Sequence, residues 1–533
     1  VPGIRLEVRQ VPYVEHPGFG PGTLLARLGA GEDRGELPLL SAADRSHTSA
    51  SEFLDREALA QALAGTGERT GRPLSEGGLK ALREDGRLVL TGHQPVILGG
   101  PLFTFLKAVS VLSLADLLGR EPGAPLVPAF WVATEDHDIL EANRCTVSGR
   151  KFVCPYEGPV AAGRVPPLGR IDPRACRKPL LAFLEETLPE SEFRPALLKA
   201  VTDADFSDYG SLFATLLRRI LGPRELVIVD PMDLRMLSAP VLADAVERWQ
   251  ALEEAFEKGS GMLRNRGFAP PLRDIGLFEI REGGRVKCTR TPEGFELSVG
   301  ERGLGETAEE IRRRPSDFSP SAGLRPVLQD AVLPVLAYVG GGTELLYLWQ
   351  IDPLYDVLGI TRSRIHPRVS ATFLEAGVRK AAEKAGLYPD GLWESDRRLE
   401  DTRSEGGDDA ETRSIERLGA ELADAVSRAG LPRSRRWLDR SAAALRHQTQ
   451  KIVRRLTDDK REEEGRGRQR IEKVAAALLP SGKPQERVAN VLEFLARYGP
   501  EFIDRCLASL DPLAVAHQIA DIRPAHSTEG ESP

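Results

Sequence analysis

The chain has 533 residues and a formal net charge of −7 at neutral pH, a balance that gives no overall basic surface and argues against a nucleic-acid partner. Its length exceeds one small core, at about 100–200 residues per domain. Hydrophobic residues make up 41%, but the most apolar stretch, residues 88–118, is broken by Gly99-Gly100-Pro101, Lys107 and Asp116, so it reads as core and not as a membrane span.

Up to residue 86 the chain is loop-rich, with helical patterns over 55–64 and 74–83; this is the N-terminal part of the core. From 87 to 395 one theme recurs. Leu88-Val89-Leu90 leads into Gly92-His93-Gln94 and then a helical pattern over 102–118. Phe130-Trp131-Val132-Ala133 leads into Glu135-Asp136-His137-Asp138, Leu226-Val227-Ile228-Val229 into Asp230-Pro231-Met232-Asp233, and the apolar run 333–339 into Gly340-Gly341-Gly342-Thr343-Glu344. Runs too short for helices that alternate with helix-length patterns predict βα units, hence an α/β fold with a mainly parallel sheet. Residues 273–299 differ: three short runs separated by Gly-Gly and Pro-Glu-Gly predict an antiparallel meander.

Composition shifts over 395–413, which is acidic and arginine-rich, and a boundary is expected there. Beyond it Ile415, Leu418, Leu422 and Val426 recur at helical spacing, Gly430-Leu431-Pro432 breaks the pattern, and Leu438, Leu445 and Ile452 follow seven apart. This predicts a coiled-coil hairpin over 396–480. The basic residues 451–455 precede Asp458-Asp459 and Glu462-Glu463-Glu464 and read as part of a solvated face. C-terminal helices, one over 486–497, and a flexible tail after 524 complete the chain in 481–533. Cys145, Cys154, Cys176, Cys288 and Cys506 include no C-x-x-C pair. They are expected to be free thiols in a reducing, cytoplasmic compartment. The start, Val1-Pro2-Gly3-Ile4-Arg5, lacks the apolar run of a signal peptide.

In parallel sheets ligands bind beyond the carboxyl ends of the strands, so the turns there carry the candidate chemistry. Gly92, Gly99 and Gly100 let a ligand approach the backbone, Pro101 suits a first helical turn, and such a helix start favours phosphate or carboxylate. His93 and Gln94 add donors, and His93 is a candidate proton carrier. Lys107 reads as a surface or pairing residue. Glu135-Asp136-His137-Asp138 is the densest titratable cluster. Helix capping explains Asp136 or Asp138 but not the whole group. With one histidine and no H-E-x-x-H spacing it reads as a polar site and not a metal site. Gly340-Gly341-Gly342 is a third candidate anion-binding turn. No Walker A loop and no G-x-S-x-G elbow occurs. His93, Asp136, His137 and Gly340 are expected to converge on one cleft.

Taken together, three segments resemble a known family. Thr91-Gly92-His93-Gln94 with Gly99-Gly100-Pro101-Leu102-Phe103-Thr104 and Lys107 is similar to its first signature. Pro128 to Asp138, with Glu141 and Asn143, is similar to its second. Leu324-Arg325-Pro326-Val327-Leu328-Gln329-Asp330, Leu333-Pro334, Ala337-Tyr338-Val339-Gly340-Gly341 and Glu344 are similar to its third. The family is the cysteine ligases of bacillithiol biosynthesis, the BshC family. The resemblance implies a Rossmann-like core with inserted segments, a coiled-coil domain that forms a homodimer, and addition of cysteine to glucosaminyl malate. His93 stands where the family has a second glutamine, and Gly342-Thr343 where it has a proline and a small residue, so neither departure inherits a role.

The expected reaction is amide formation between the cysteine carboxylate and the amine of glucosaminyl malate. The carboxylate is activated by ATP, leaving ADP or a related nucleotide, without a metal predicted from the residues. His93, Asp136 and His137 are the catalytic candidates. Thr91, Gly92, Gln94, Gly99, Gly100, Glu135, Asp138, Asn143, Arg325, Gln329, Gly340, Gly341 and Glu344 are the candidates for substrate or nucleotide binding. Two rival readings are a Rossmann-like nucleotidyl- or glycosyl-transferring enzyme, favoured by tight binding of a nucleotide sugar without cysteine dependence, and a non-catalytic coiled-coil assembly protein.

Overall fold

The computed structural model describes residues 3–41, 44, 47–49, 51–161, 164–281, 283–394, 410–429 and 435–525. Its centre is a five-stranded, wholly parallel sheet built from β1 (Arg87–His93), β2 (Leu126–Val132), β3 (Val227–Val229), β4 (Val335–Gly340) and β5 (Arg364–Pro367), in the order β5-β4-β1-β2-β3. These strands are short apolar runs, and alternate residues enter two separate cores. Leu88, Leu90, Ala129 and Trp131 pack on one face, and Val89, Phe130, Val132 and Val339 on the other. A sheet buried on both faces is what near-continuous apolar strands require.

The chain leaves β1 for β2 and β3 on one side, while β4 and β5 lie on the other. The carboxyl ends of β1 and β4 therefore bound a topological switch point, where open α/β sheets form their ligand crevice. Four helices follow these strands or flank the crevice: α1 (Leu102–Gly119), α2 (Arg235–Glu247), α3 (Arg325–Val332) and α4 (Gly342–Gln350). Helix α1 is long and apolar enough to cross a membrane, yet 67% of that window is buried in the protein. Being apolar all round, it is a core helix.

The predicted meander is present but divided. Leu277–Arg281 pairs with Gly284–Lys287 and with Phe318–Pro320, while Gly294–Leu297 belongs to a second small sheet with Thr289–Arg290 and Gly300–Gly303. A further three-stranded sheet sets Ile4–Val11 antiparallel to His517–Pro524, with Ser370–Leu374 on the other side. The last segment thus returns to the first compact unit, which spans 1–373 and 483–533. The helix expected over 486–497 begins later, at Val491–Tyr498, because Glu486 is buried as the partner of Arg368 at 2.5 Å.

The second compact unit is Leu374–Gly482. Within it, α5 (Ala410–Arg428) and α6 (Arg435–Leu478) form the expected hairpin. The boundary at 395–409 and the break at 430–432 lie outside the described residues, as does the tail beyond 525. Small residues make the contact between the two helices: Gly419 lies against Thr449, and Ala423 and Ala442 are fully buried. Leu418 and Leu422 point outward. The free-thiol expectation needs correction for two cysteines. Cys154 and Cys176 are disulfide-bonded with Cα atoms 5.2 Å apart, while Cys145, Cys288 and Cys506 are buried free thiols. A separation of 22 residues carries no local signature of pairing, so only the folded path of the chain reveals it.

Candidate active site

A cavity of about 330 Å³ opens at the switch point. The parallel register pairs Gly92 with Trp131 and His93 with Val132, so the ends of β1 and β2 contribute side by side. A Cβ on Gly92 would lie 3.0 Å from Trp131 Cβ and 3.1 Å from its carbonyl oxygen, so glycine here lets the two strands approach without Trp131 having to give way. Gln94 donates from Nε2 to Asp136 Oδ2 across the strand ends. Asp136 Oδ1 accepts the His137 backbone N–H at 2.7 Å, which fixes both carboxylate oxygens at the rim. Gln94 Oε1 and Trp131 Nε1 are buried and lack hydrogen-bond partners.

The opposite wall is an ion pair between Lys107 and Glu344. Lys107, 3% exposed in the apolar helix α1, pairs with Glu344 Oε2 at 2.7 Å and donates to the Gly92 carbonyl at 2.6 Å. It is a pairing residue, but a buried one. Glu344 also accepts from Tyr338 Oη at 3.1 Å and from the Gly341 N–H at 2.9 Å. Burial pushes the Glu344 carboxyl up, but Lys107 and the Gly341 N–H outweigh this and hold it below its ordinary range. The chain's own carboxylate thus occupies the N-terminus of α4. The Gly340 turn is not the open anion site expected of it.

His93 lines the cavity, stacks on Phe103 with ring centroids 5.1 Å apart, and shares a contact of 3.1 Å between Nδ1 and the Gln94 carbonyl. Burial, and then the charge of Lys107, push its imidazole down to about 3. It stays neutral at physiological pH and is a poor proton acceptor, contrary to the role suggested by its ordinary titration range. His137 turns away from the cavity toward the meander, where its Nδ1 lies 3.2 Å from Arg285 Nη1. Burial and Arg285 lower its pKa. Of the four groups expected to converge, His93 and Asp136 line the cavity, while His137 and Gly340 do not.

Several other candidates act as scaffold. Thr91 donates to the Val339 carbonyl at 2.7 Å, tying β1 to β4. Gly99 and Gly100 have φ of +76° and +74°, and Asn490 Nδ2 latches the carbonyl of Gly100 at 2.8 Å. Asp138 caps the short helix Ile139–Ala142 through Glu141 N at 3.1 Å. The Asn143 carbonyl accepts Cys154 N at 2.7 Å. Glu135 is buried against Arg235 at 2.8 Å. Arg325, at the start of α3, reaches the cavity and donates to Gln329 Oε1 at 3.0 Å and Tyr347 Oη at 3.2 Å. It forms no ion pair among the described residues.

Sequence reasoning missed Phe103, Trp131, Glu141, Tyr338 and Tyr347 as lining residues. Burial, Asp138 and Asp136 raise the Glu141 carboxyl. Two signals were available: Glu344 and Tyr347 are three apart on one helix face, and Lys107 is a lone cation in an apolar helix. Among the described residues no group of three or more His, Cys, Asp or Glu side chains has metal-binding geometry.

Comparison with known proteins agrees with this architecture. The family model for the Bacillithiol biosynthesis BshC, N-terminal Rossmann-like domain matches residues 40–369, and that for its C-terminal coiled-coil domain matches 414–522. A Salinibacter ruber protein named "Putative cysteine ligase BshC" is 30% identical over 500 residues, covering 88% of this chain and 89% of the relative. Proteins of the same name from Heliobacterium modesticaldum and Bacillus cereus strain AH187 are 32% and 26% identical. They cover 79% and 80% of this chain, and 80% and 84% of their own. With a Rossmann-like sheet, a switch-point cavity and a coiled-coil hairpin in the same order as the matched models, the chain belongs to the BshC family of bacillithiol biosynthesis.

Proposed function

We propose that this protein is a cysteine ligase that joins the carboxyl carbon of cysteine to the amine of glucosaminyl malate as an amide. The observation that carries the reading is Asp136. Its carboxylate is clamped by Gln94 and the His137 N–H at the rim of the switch-point cavity, which Arg325 also lines. In the bond-forming step the amine nitrogen attacks the activated carboxyl carbon, the C–N bond forms and the C–O bond to the leaving group breaks. Asp136 takes the amine proton, because it is the carboxylate of the second signature that reaches the cavity with a fixed orientation. Arg325 and Lys107 offset negative charge in the crevice.

Activation falls to ATP in this reading, and what ATP supplies is a carboxyl oxygen that can leave. Arg325 suits a polyanion; the Gly340 turn does not, since Glu344 holds the Gly341 N–H. Homodimerisation through the hairpin and a cytoplasmic location belong to the same proposal. Neither the transferring-enzyme nor the assembly-protein reading has an observation of its own to favour it.

Full-length protein incubated with cysteine, glucosaminyl malate and ATP is expected to give the cysteinyl amide by mass spectrometry. Asp136→Asn is expected to lower kcat by about 10²–10⁴ while leaving the thermal transition in place. Failure of correctly folded wild-type protein to form the amide overturns the reading.

A further inference from the structure

Behind Trp131 lies a second, smaller cavity with about 20 Å³ of free space, little more than the about 10–15 Å³ that one water needs. Trp131 and Arg325 line both this pouch and the main cavity, with the guanidinium carbon of Arg325 5.5 Å from the Trp131 ring centroid. The far side is apolar, made by Leu234, Leu328 and Val332, each 3% exposed or less. Ser238 of α2 and Glu135 complete it.

Charge and size together restrict what the pouch accepts. Glu135 spends Oε2 on Arg235 at 2.8 Å, and its Oε1 accepts no hydrogen bond among the described residues. Arg235 is further committed to the Phe318 carbonyl. Among the described residues Arg325 donates to the neutral Gln329 and Tyr347. Among the described residues the junction therefore offers one guanidinium with no carboxylate hydrogen-bonded to it and one open carboxylate oxygen, beside an apolar recess for one small group. Charged groups with hydrogen-bonding capacity left open favour a ligand that supplies the opposite signs.

We propose that the pouch is the α-amino-acid subsite: Arg325 holds the α-carboxylate, Glu135 Oε1 the α-ammonium, and the recess a side chain no larger than a thiomethyl group. The amino-acid class follows from the pouch itself; its identification as cysteine rests on the ligase reading. Trp131 stands between the subsite and the cavity that receives the amine substrate, and the carboxylate on Arg325 lies at the junction of the two. Recognition by size selects a small side chain: groups that overfill a closed apolar recess lose about 10–200-fold.

The test is titration calorimetry of the full chain, under reductant, with five amino acids or fragments, and then with one pouch variant. L-Cysteine and its isostere L-2-aminobutyrate are expected to bind. L-Phenylalanine, cysteamine (no carboxylate) and 3-mercaptopropionate (no ammonium) are each expected to bind about tenfold more weakly or worse. Ser238→Leu projects into the pouch from a half-buried position and is expected to weaken L-cysteine about tenfold or more while glucosaminyl malate still binds. Equal binding of phenylalanine and cysteine, or an unchanged cysteine affinity and KM in Ser238→Leu, overturns the subsite and leaves the ligase reading standing. Cysteine binding with this selectivity but no amide product from the wild type overturns the ligase reading and leaves the subsite. No cysteine binding by folded wild-type protein, with or without glucosaminyl malate, overturns the subsite.

Discussion

His93 illustrates how far the surroundings of a residue redirect its chemistry. Unfolded, its imidazole titrates near 6.5; folded, burial and Lys107 hold it down at about 3. Below pH 6.5 the unfolded chain gains a proton that the folded one refuses. The associated stability is present above pH 6.5 and is lost as pH falls toward 3. His16, pushed down to about 4 by burial, adds to the same slope. We expect His93→Gln to flatten, without abolishing, the fall in urea midpoint between pH 6.5 and the acid limit, and to retain most of the ligase activity. A loss of activity comparable to that of Asp136→Asn would mean that the imidazole acts in the chemistry.

At the scale of elements, the strands were legible because apolar runs end in glycine and acid punctuation, and the switch-point turns were found for the same reason. Strand order was not legible, since β1 pairs with a strand some 250 residues later through contacts such as Thr91 to Val339, and no local pattern encodes that. Arg285 reaches His137 across 148 residues, and this contact takes the histidine out of the cavity. Likewise Lys107 reads as a surface or pairing residue, and its partner is Glu344, delivered by α4 from far along the chain. The pair also fixes the join between α1 and α4. Lys107→Met leaves its half-buried carboxylate partner unpaired and is expected to cost at most about 3–5 kcal/mol of unfolding free energy. The double variant Lys107→Met with Glu344→Gln, which keeps an acceptor for the Gly341 N–H, is expected to recover part of that in urea titrations. A loss in the double variant equal to the sum of the losses in Lys107→Met and Glu344→Gln would show that the two groups are not coupled.

For the whole molecule, the hairpin raises the question of what covers its outer faces. Its helices meet through Gly419, Ala423 and Ala442, while Leu422 is 54%, Trp437 65% and Ile452 51% exposed. Apolar residues left outside a two-helix contact are what a second copy would bury. The full chain is therefore expected to be a dimer by light scattering, and Leu422→Glu with Trp437→Glu to be a monomer with unchanged helicity. A wild-type monomer at micromolar concentration would rule this assembly out.

The antiparallel pairing of Ile4–Val11 with His517–Pro524 bears on the order in which the protein can be completed. A ribosome releases β1 to β5 well before it reaches Glu486, Asn490 or the closing strand. A nascent chain paused in the hairpin holds every strand of the central sheet, yet its Gly100 turn is unlatched and its amino-terminal strand waits without a neighbour. The turn before α1 is thus held by a residue that emerges only after the hairpin.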